Sequence, residues 1–218
     1  MRIFQRAILT FGALTLLNGC GLGSDGPEIE ERDRVIGQEQ HPILLNQLGG
    51  AYGGPESDYV RSLGENLAAN VGLEGECTFT LVNTNLVNAF AVPGCYIYVT
   101  RGLMALVNSE AELASVLGHE LGHIAADHLD EQERRSYLRR LGVYAVALIT
   151  ESETLTRIAS GAAEFFTLRY SRRHEYEADD FAIELLIDAG YDPYAAANML
   201  DSLADYERFQ NRGGPEIH

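Results

Sequence analysis

The chain has 218 residues, 46% of them hydrophobic and 9% aromatic, which suffices for one compact domain. Its formal net charge is −16, from 32 Asp and Glu against 16 basic residues, all of them arginine. A surface this acidic repels nucleic acid and anionic lipid headgroups, so it excludes polyanion binding while naming no substrate.

The N-terminus has the form of an export signal. Arg2 and Arg6 precede a short apolar run over 7–17, followed by Leu17-Asn18-Gly19-Cys20. The run is too short for an ordinary membrane-spanning helix. Leu-x-Gly-Cys resembles a bacterial lipoprotein cleavage box, which implies a signal peptide over 1–19 and a lipidated Cys20 as membrane anchor. An ordinary secretory signal or an uncleaved anchor is the alternative. Gly21 rather than aspartate after Cys20 implies, by the same resemblance, the periplasmic side of the outer membrane. Residues 20–40 are Gly-rich and acidic and read as a flexible tether, which leaves 41–218 as the folded domain.

The elements then follow in order. A helix is expected over 55–69, with Val60, Leu63 and Leu67 on one face and a stop near Gly72. Strands are expected over 78–83, 89–92 and 96–100, the last two separated by Pro93-Gly94-Cys95. A short helix follows over 101–107. Ser109 and Glu112 form a capping box that starts a helix reaching about His128, with Leu113, Val116, Leu117, Leu121 and Ile124 at helical spacing. The apolar, Ala-rich stretch 137–166 is interrupted by Glu151, Glu153 and Arg157. It reads as a buried or partly exposed helical pair rather than a membrane span. A helix over 172–188 stops at Gly190, and Asp192-Pro193 opens a last helix to about 209. The pattern predicts an α+β, mainly helical domain with a small sheet.

The chemistry lies in two of these helices. Residues 119–123 read His-Glu-Leu-Gly-His, the H-E-x-x-H spacing. Positions four apart lie one turn above each other, so His119 and His123 can face one metal ion while Glu120 faces a water beside it. A catalytic zinc needs a third protein ligand. Glu175 can supply it, and Asp179, one turn further on the same face, can accept the outer ring N–H of a ligating histidine. The expectation is one Zn²⁺ per chain. His128, five residues past His123 on the same expected helix, is rotated off the ligand face. His174 reads as a helix-surface residue. Tyr170, Arg172, Arg173 and His174 are all near enough to be considered as oxyanion donors.

These motifs resemble those of the HtpX-like and BepA-like zinc metallopeptidases, a gluzincin family. The matching stretches are 88–94 (Asn-Ala-Phe-Ala-Val-Pro-Gly), 97–103 (Ile-Tyr-Val-Thr-Arg-Gly-Leu), the H-E-L-G-H helix and the Ser-Arg-Arg-His-Glu-Tyr-Glu-Ala-Asp run over 171–179. In order and spacing they cover about 59–206. The resemblance implies a zincin-type single domain whose small sheet edges the cleft. It implies Glu175, not Glu177, as third ligand, with Glu177 a surface or supporting residue. It also implies endopeptidase action on misfolded or unassembled envelope proteins, with envelope assembly machinery as a possible partner.

The strand carrying Tyr96, Tyr98 and Thr100 is expected to run along the cleft and receive an extended substrate peptide. Cys95 departs from the family, which usually has a second glycine there, and related chains continue beyond the position of Gly213. Cys77 and Cys95 either form a disulfide, which an oxidising periplasm permits, or stay as buried thiols. The reading from a different class is a latent or non-proteolytic, chaperone-like lipoprotein that only binds clients.

Overall fold

The computed structural model describes residues 27–128 and 170–212. The expected signal peptide, Cys20, the apolar stretch 137–166 and the last residues, 213–218, lie outside the described residues. In chain order the described elements are α1 (Glu31–Gln47), α2 (Pro55–Asn70), β1 (Thr78–Val82), β2 (Ala89–Val92), β3 (Tyr96–Thr100), α3 (Arg101–Met104), α4 (Glu110–Ala125), α5 (Arg172–Asp188) and α6 (Tyr194–Asn211). The domain is mainly helical with a three-stranded sheet, the α+β architecture expected from the pattern. No described helix is long and apolar enough to cross a membrane.

The sheet order is β1-β3-β2, with β1 parallel and β2 antiparallel to β3. Alternation sorts its side chains onto two faces. Phe79, Leu81, Ala91, Ile97 and Val99 join the main core with residues of α2, α4, α5 and α6. Val82, Phe90, Val92 and Tyr98 form a second cluster on the other face with Leu44 and Leu48. Both faces are apolar, so both must be covered.

That requirement corrects the tether. From Glu31 onward the chain is helical rather than a flexible acidic linker to residue 40. Leu44 and Leu48 at the C-terminal end of α1 are 0% and 3% exposed, and burying each gains roughly 1.5–3 kcal/mol. His41 Nδ1 lies 2.7 Å from the Tyr98 hydroxyl, tying α1 to the central strand. Gly37 permits the close approach: a Cβ there would lie 2.3 Å from the Pro93 carbonyl oxygen and 2.5 Å from the Tyr96 ring.

The β2–β3 turn holds Gly94 and Cys95 at φ 81° and 60°. Cys95 thus sits in left-handed backbone that favours glycine, the residue the resemblance leads one to expect there. Its side chain is bonded to Cys77, 18 residues away, and its carbonyl accepts the Thr78 amide at 2.8 Å. Closing a loop of that length stabilises by roughly 3 kcal/mol, against a cost of about 1–3 kcal/mol for the unfavourable φ.

Three elements meet at Glu110 in the first turn of α4. Tyr59 of α2 donates to its Oε2 at 2.8 Å, and Tyr191, before α6, donates to its Oε1 at 2.6 Å. The two phenols, Tyr191 first, hold its carboxyl below the ordinary value of 4.5. A carboxyl depressed by folding contributes stability that is present above its unfolded pKa and is lost as pH falls through the folded value. Glu110→Gln should therefore lower the melting temperature at pH 7, and a pH series of thermal melts should show the gap closing once pH falls below 4.5.

Candidate metal and catalytic site

Local sequence builds α4 first. Ser109 caps it, its hydroxyl accepting the Glu112 amide at 3.2 Å, and Glu112 Oε2 accepts the Asn108 amide at 2.8 Å. The return bond thus reaches one residue further back than in a simple capping box. Helical periodicity then stacks His119 and His123, with their Nε2 atoms 3.1 Å apart. On α5, Ser171 caps the first turn by accepting the His174 amide at 3.3 Å. Glu175 in that turn faces the two rings, with its Oε2 3.5 Å from His119 Nε2 and its Oε1 4.0 Å from His123 Nε2.

The helices meet closely because the facing residues are small. A Cβ at Gly122 would lie 3.0 Å from Ala178 Cα, and one at Gly118 would lie 3.3 Å from Ala182 Cα. The two glycines, each directly before a histidine of the motif, are therefore what lets α5 deliver Glu175.

The residues fit a metal ion. One donor atom from each of His119, His123 and Glu175 lies within 4.8 Å of the others. The proton positions agree. His119 Nδ1 is 2.9 Å from Asp179 Oδ1, so its proton sits there and Nε2 presents a lone pair. Burial, then the neighbouring His119, His128 and His174, push the His123 imidazole down to about 3, so it is neutral. Two bare ring nitrogens and a carboxylate converge on one point, which is the donor set of a three-ligand site with an open position.

Glu120 lies beside these ligands, 9% exposed. Burial pushes its carboxyl up to about 7, opposed by neighbouring His119 and by the Ala91 backbone N–H of β2, which donates to it. In front lies a cleft of about 660 Å³, reaching from His119 and Glu120 to apolar walls that include Val116, Ile183, Met199 and Leu200.

Several site expectations change. β3 is the central strand, flanked on both sides, and Tyr98 and Thr100 are 0% and 1% exposed. Tyr96, Tyr98 and Thr100 therefore cannot receive a substrate strand. Thr100 instead caps α3, its hydroxyl oxygen accepting the Leu103 amide at 3.1 Å, and bonds the 86–88 loop. The edge nearest the site is β2. The Thr100 amide donates to the Asn88 carbonyl, which sets the alternation of this antiparallel pair. Ala89 and Ala91 then turn their backbone groups away from β3.

His128 also differs from its expected place. The helix ends at Ala125, Asp127 takes φ 45°, and the His128 amide donates back to the His123 carbonyl at 3.1 Å. The ring therefore folds back against His123. His174 is not a bare surface residue, since its ring stacks on His128 with centroids 4.5 Å apart. Tyr170 stacks on His123 at 3.8 Å. The shared four-residue spacing of Glu175 and Asp179 was legible in the sequence. The partner of His123 Nδ1 was not.

Comparison with known proteins agrees with this geometry. The family model described as peptidase family M48 matches residues 55–217. The chain belongs to peptidase family M48. M48 relatives include the beta-barrel assembly-enhancing protease of Yersinia pestis, 32% identical over 166 residues, covering 72% of this chain and 34% of that protein. The mitochondrial metalloendopeptidase OMA1 of Arabidopsis thaliana is 35% identical over 154 residues, covering 69% of this chain and 29% of its own length. Metalloprotease YcaL of Escherichia coli K12 is 28% identical over 159 residues, covering 72% and 60% respectively. The chain thus matches about a third of the length of the assembly-enhancing relatives.

Two measurements probe this M48 site. Removing the carboxylate behind His119 in Asp179→Ala should weaken zinc binding roughly 10- to 100-fold in chelator competition, while Asp180→Ala on the exposed side leaves it unchanged. Gly122→Val should force α4 and α5 apart and lower zinc affinity more than tenfold (about 1.4 kcal/mol per decade) even where circular dichroism shows the helices intact.

Proposed function

We propose that this chain is a zinc-dependent endopeptidase of the bacterial cell envelope that hydrolyses misfolded or unassembled envelope proteins. The observation that carries the reading is the convergence of His119, His123 and Glu175 with Glu120 buried beside them at the head of an open cleft. Zinc held by those three residues would supply Lewis acidity toward a carbonyl oxygen and acidify water to near neutrality.

The protein's own part is positional and protonic. Asp179 orients His119 through Nδ1. Glu120, raised to about 7, takes a proton from the attacking water and passes it to the leaving amine. The Ala91 N–H holds the Glu120 carboxyl group in place for both transfers. An extended peptide pairs with the outward edge of β2 at Ala89, because Ala91 N–H is already engaged. Backbone pairing of this kind reads main chain more than side chain, which suits unfolded clients. The apolar walls at Val116, Ile183, Met199 and Leu200 favour a large apolar side chain beside the cleaved bond.

The lipoprotein-like box ending at Cys20 supports anchoring to the periplasmic face of the outer membrane. The names of the assembly-enhancing relatives support envelope proteins as substrates and assembly machinery as partner. Cleavage of a reduced, unfolded model protein should be lost by roughly 10²- to 10⁴-fold in Glu120→Gln while bound zinc, measured by mass spectrometry of metals, stays at one per chain. Zinc in both proteins with cleavage in neither would favour a client-binding role over a peptidase.

A further inference from the structure

His123 is held from behind by a second imidazole. Its Nδ1 lies 2.9 Å from Nδ1 of His128, and Nε2 of His128 lies 3.1 Å from Oε2 of Glu177. We propose that Glu177 and His128 form a positioning relay that fixes the tautomer and orientation of His123, and so determines how tightly the site holds its metal. The proposal rests on the reading of His119, His123 and Glu175 as the metal site.

Proton accounting leads to this role. A carboxylate accepts only, so the His128 nitrogen facing Glu177 carries the hydrogen. Burial lowers the His128 pKa from its ordinary value, and in the neutral ring Nδ1 is bare. The 2.9 Å contact between the two Nδ1 atoms needs one hydrogen, which must come from His123. His123 then has a bare Nε2, aimed at His119 Nε2 and Glu175. With the opposite tautomer of His128, the hydrogen of His123 would sit on the nitrogen that has to ligate. One carboxylate two groups away thus sets which nitrogen of His123 is free. Asp179 does the same for His119 in a single step.

Packing holds the relay. His128 is 4% exposed, and its ring lies nearly parallel to His174 at 7°. Tyr170 covers His123 at 15°. Glu177 is one helical turn from Arg173, whose Nε lies 3.8 Å from its other oxygen. That exposed pair restrains Glu177 from outside, and Arg173 Nη2 also lies 3.4 Å from Nε2 of His174, the ring stacked on His128.

The test is zinc affinity of the full chain by chelator competition, together with the visible absorption spectrum of the Co²⁺-loaded protein. His128→Leu and Glu177→Leu should each weaken zinc roughly 10- to 100-fold and alter the cobalt bands. His128→Gln and Glu177→Gln keep an acceptor oxygen and should retain affinity within a few-fold. Asp180→Ala, at an exposed position of α5, should leave affinity unchanged. Metal-free melting temperatures identify any variant that fails to fold, and the glutamine variants then serve as the folded comparison. Unchanged zinc affinity and cobalt spectrum in folded leucine variants would overturn the relay. Failure of the parent itself to bind zinc at one per chain would overturn the site reading beneath it.

Discussion

The geometry of the site depends on how closely two helices can approach. α4 and α5 meet through Gly118 and Gly122 on one side and Ala178 and Ala182 on the other. Packed helices usually stand 8–10 Å apart, set by the side chains between them. Here almost nothing stands between them at these positions, and Glu175 therefore reaches two imidazoles that belong to another element. Interiors packed to crystal-like density are stiff, so such a distance is defined by the contact surface and not by the polar groups themselves. The polar residues of the motif carry the proposed chemistry, while its small residues set the separation.

The same burial that locks the helices prepares the protonation states. Withdrawal from water disfavours charge on every group, and it acts in opposite directions on acids and bases. It raises the Glu120 carboxyl to about 7 and lowers the His123 imidazole to about 3. One environment thus yields a carboxylate able to exchange protons near neutrality and an imidazole free to ligate. Buried polar groups cost several kcal/mol when left without partners. Asp179, His128, Glu177 and the Ala91 amide supply those partners, so the site is held together before any metal arrives. Metal binding then adds to the stability of an arrangement already formed.

Covering the sheet explains the rest of the architecture. Its three strands are apolar on both faces, and a sheet of that kind needs a layer on each side. α2 and α4 pack on one face, and α1 closes the other. The disulfide fastens the β2–β3 turn to the start of β1, below the strand whose edge lies along the site. The linker-like composition before residue 40 concealed α1, because Gly and acidic residues are frequent in the stretch leading into it and its buried leucines come only at its end.

Much of this protein was legible in the chain because periodicity governs relations within one element. The four-residue spacing placed His119 above His123 and Glu175 beside Asp179, and Ser109 marked a helix start that the structure retains. β2 and β3 have the bounds their alternation suggests. Relations between elements are of another kind. The order β1-β3-β2 put Tyr98 and Thr100 inside the sheet and left β2 at the edge, which alternation along a strand does not specify. His128 lay off the ligand face only for as long as the helix continued. The helix stopped at Ala125, and a left-handed residue, Asp127, returned the ring to His123. Spacing therefore pointed to the proposed ligands and base, since their relative placement within each helix depends on a rigid helical repeat. Packing decided which strand is exposed and what stands behind the second histidine, since those depend on where separate elements come to rest.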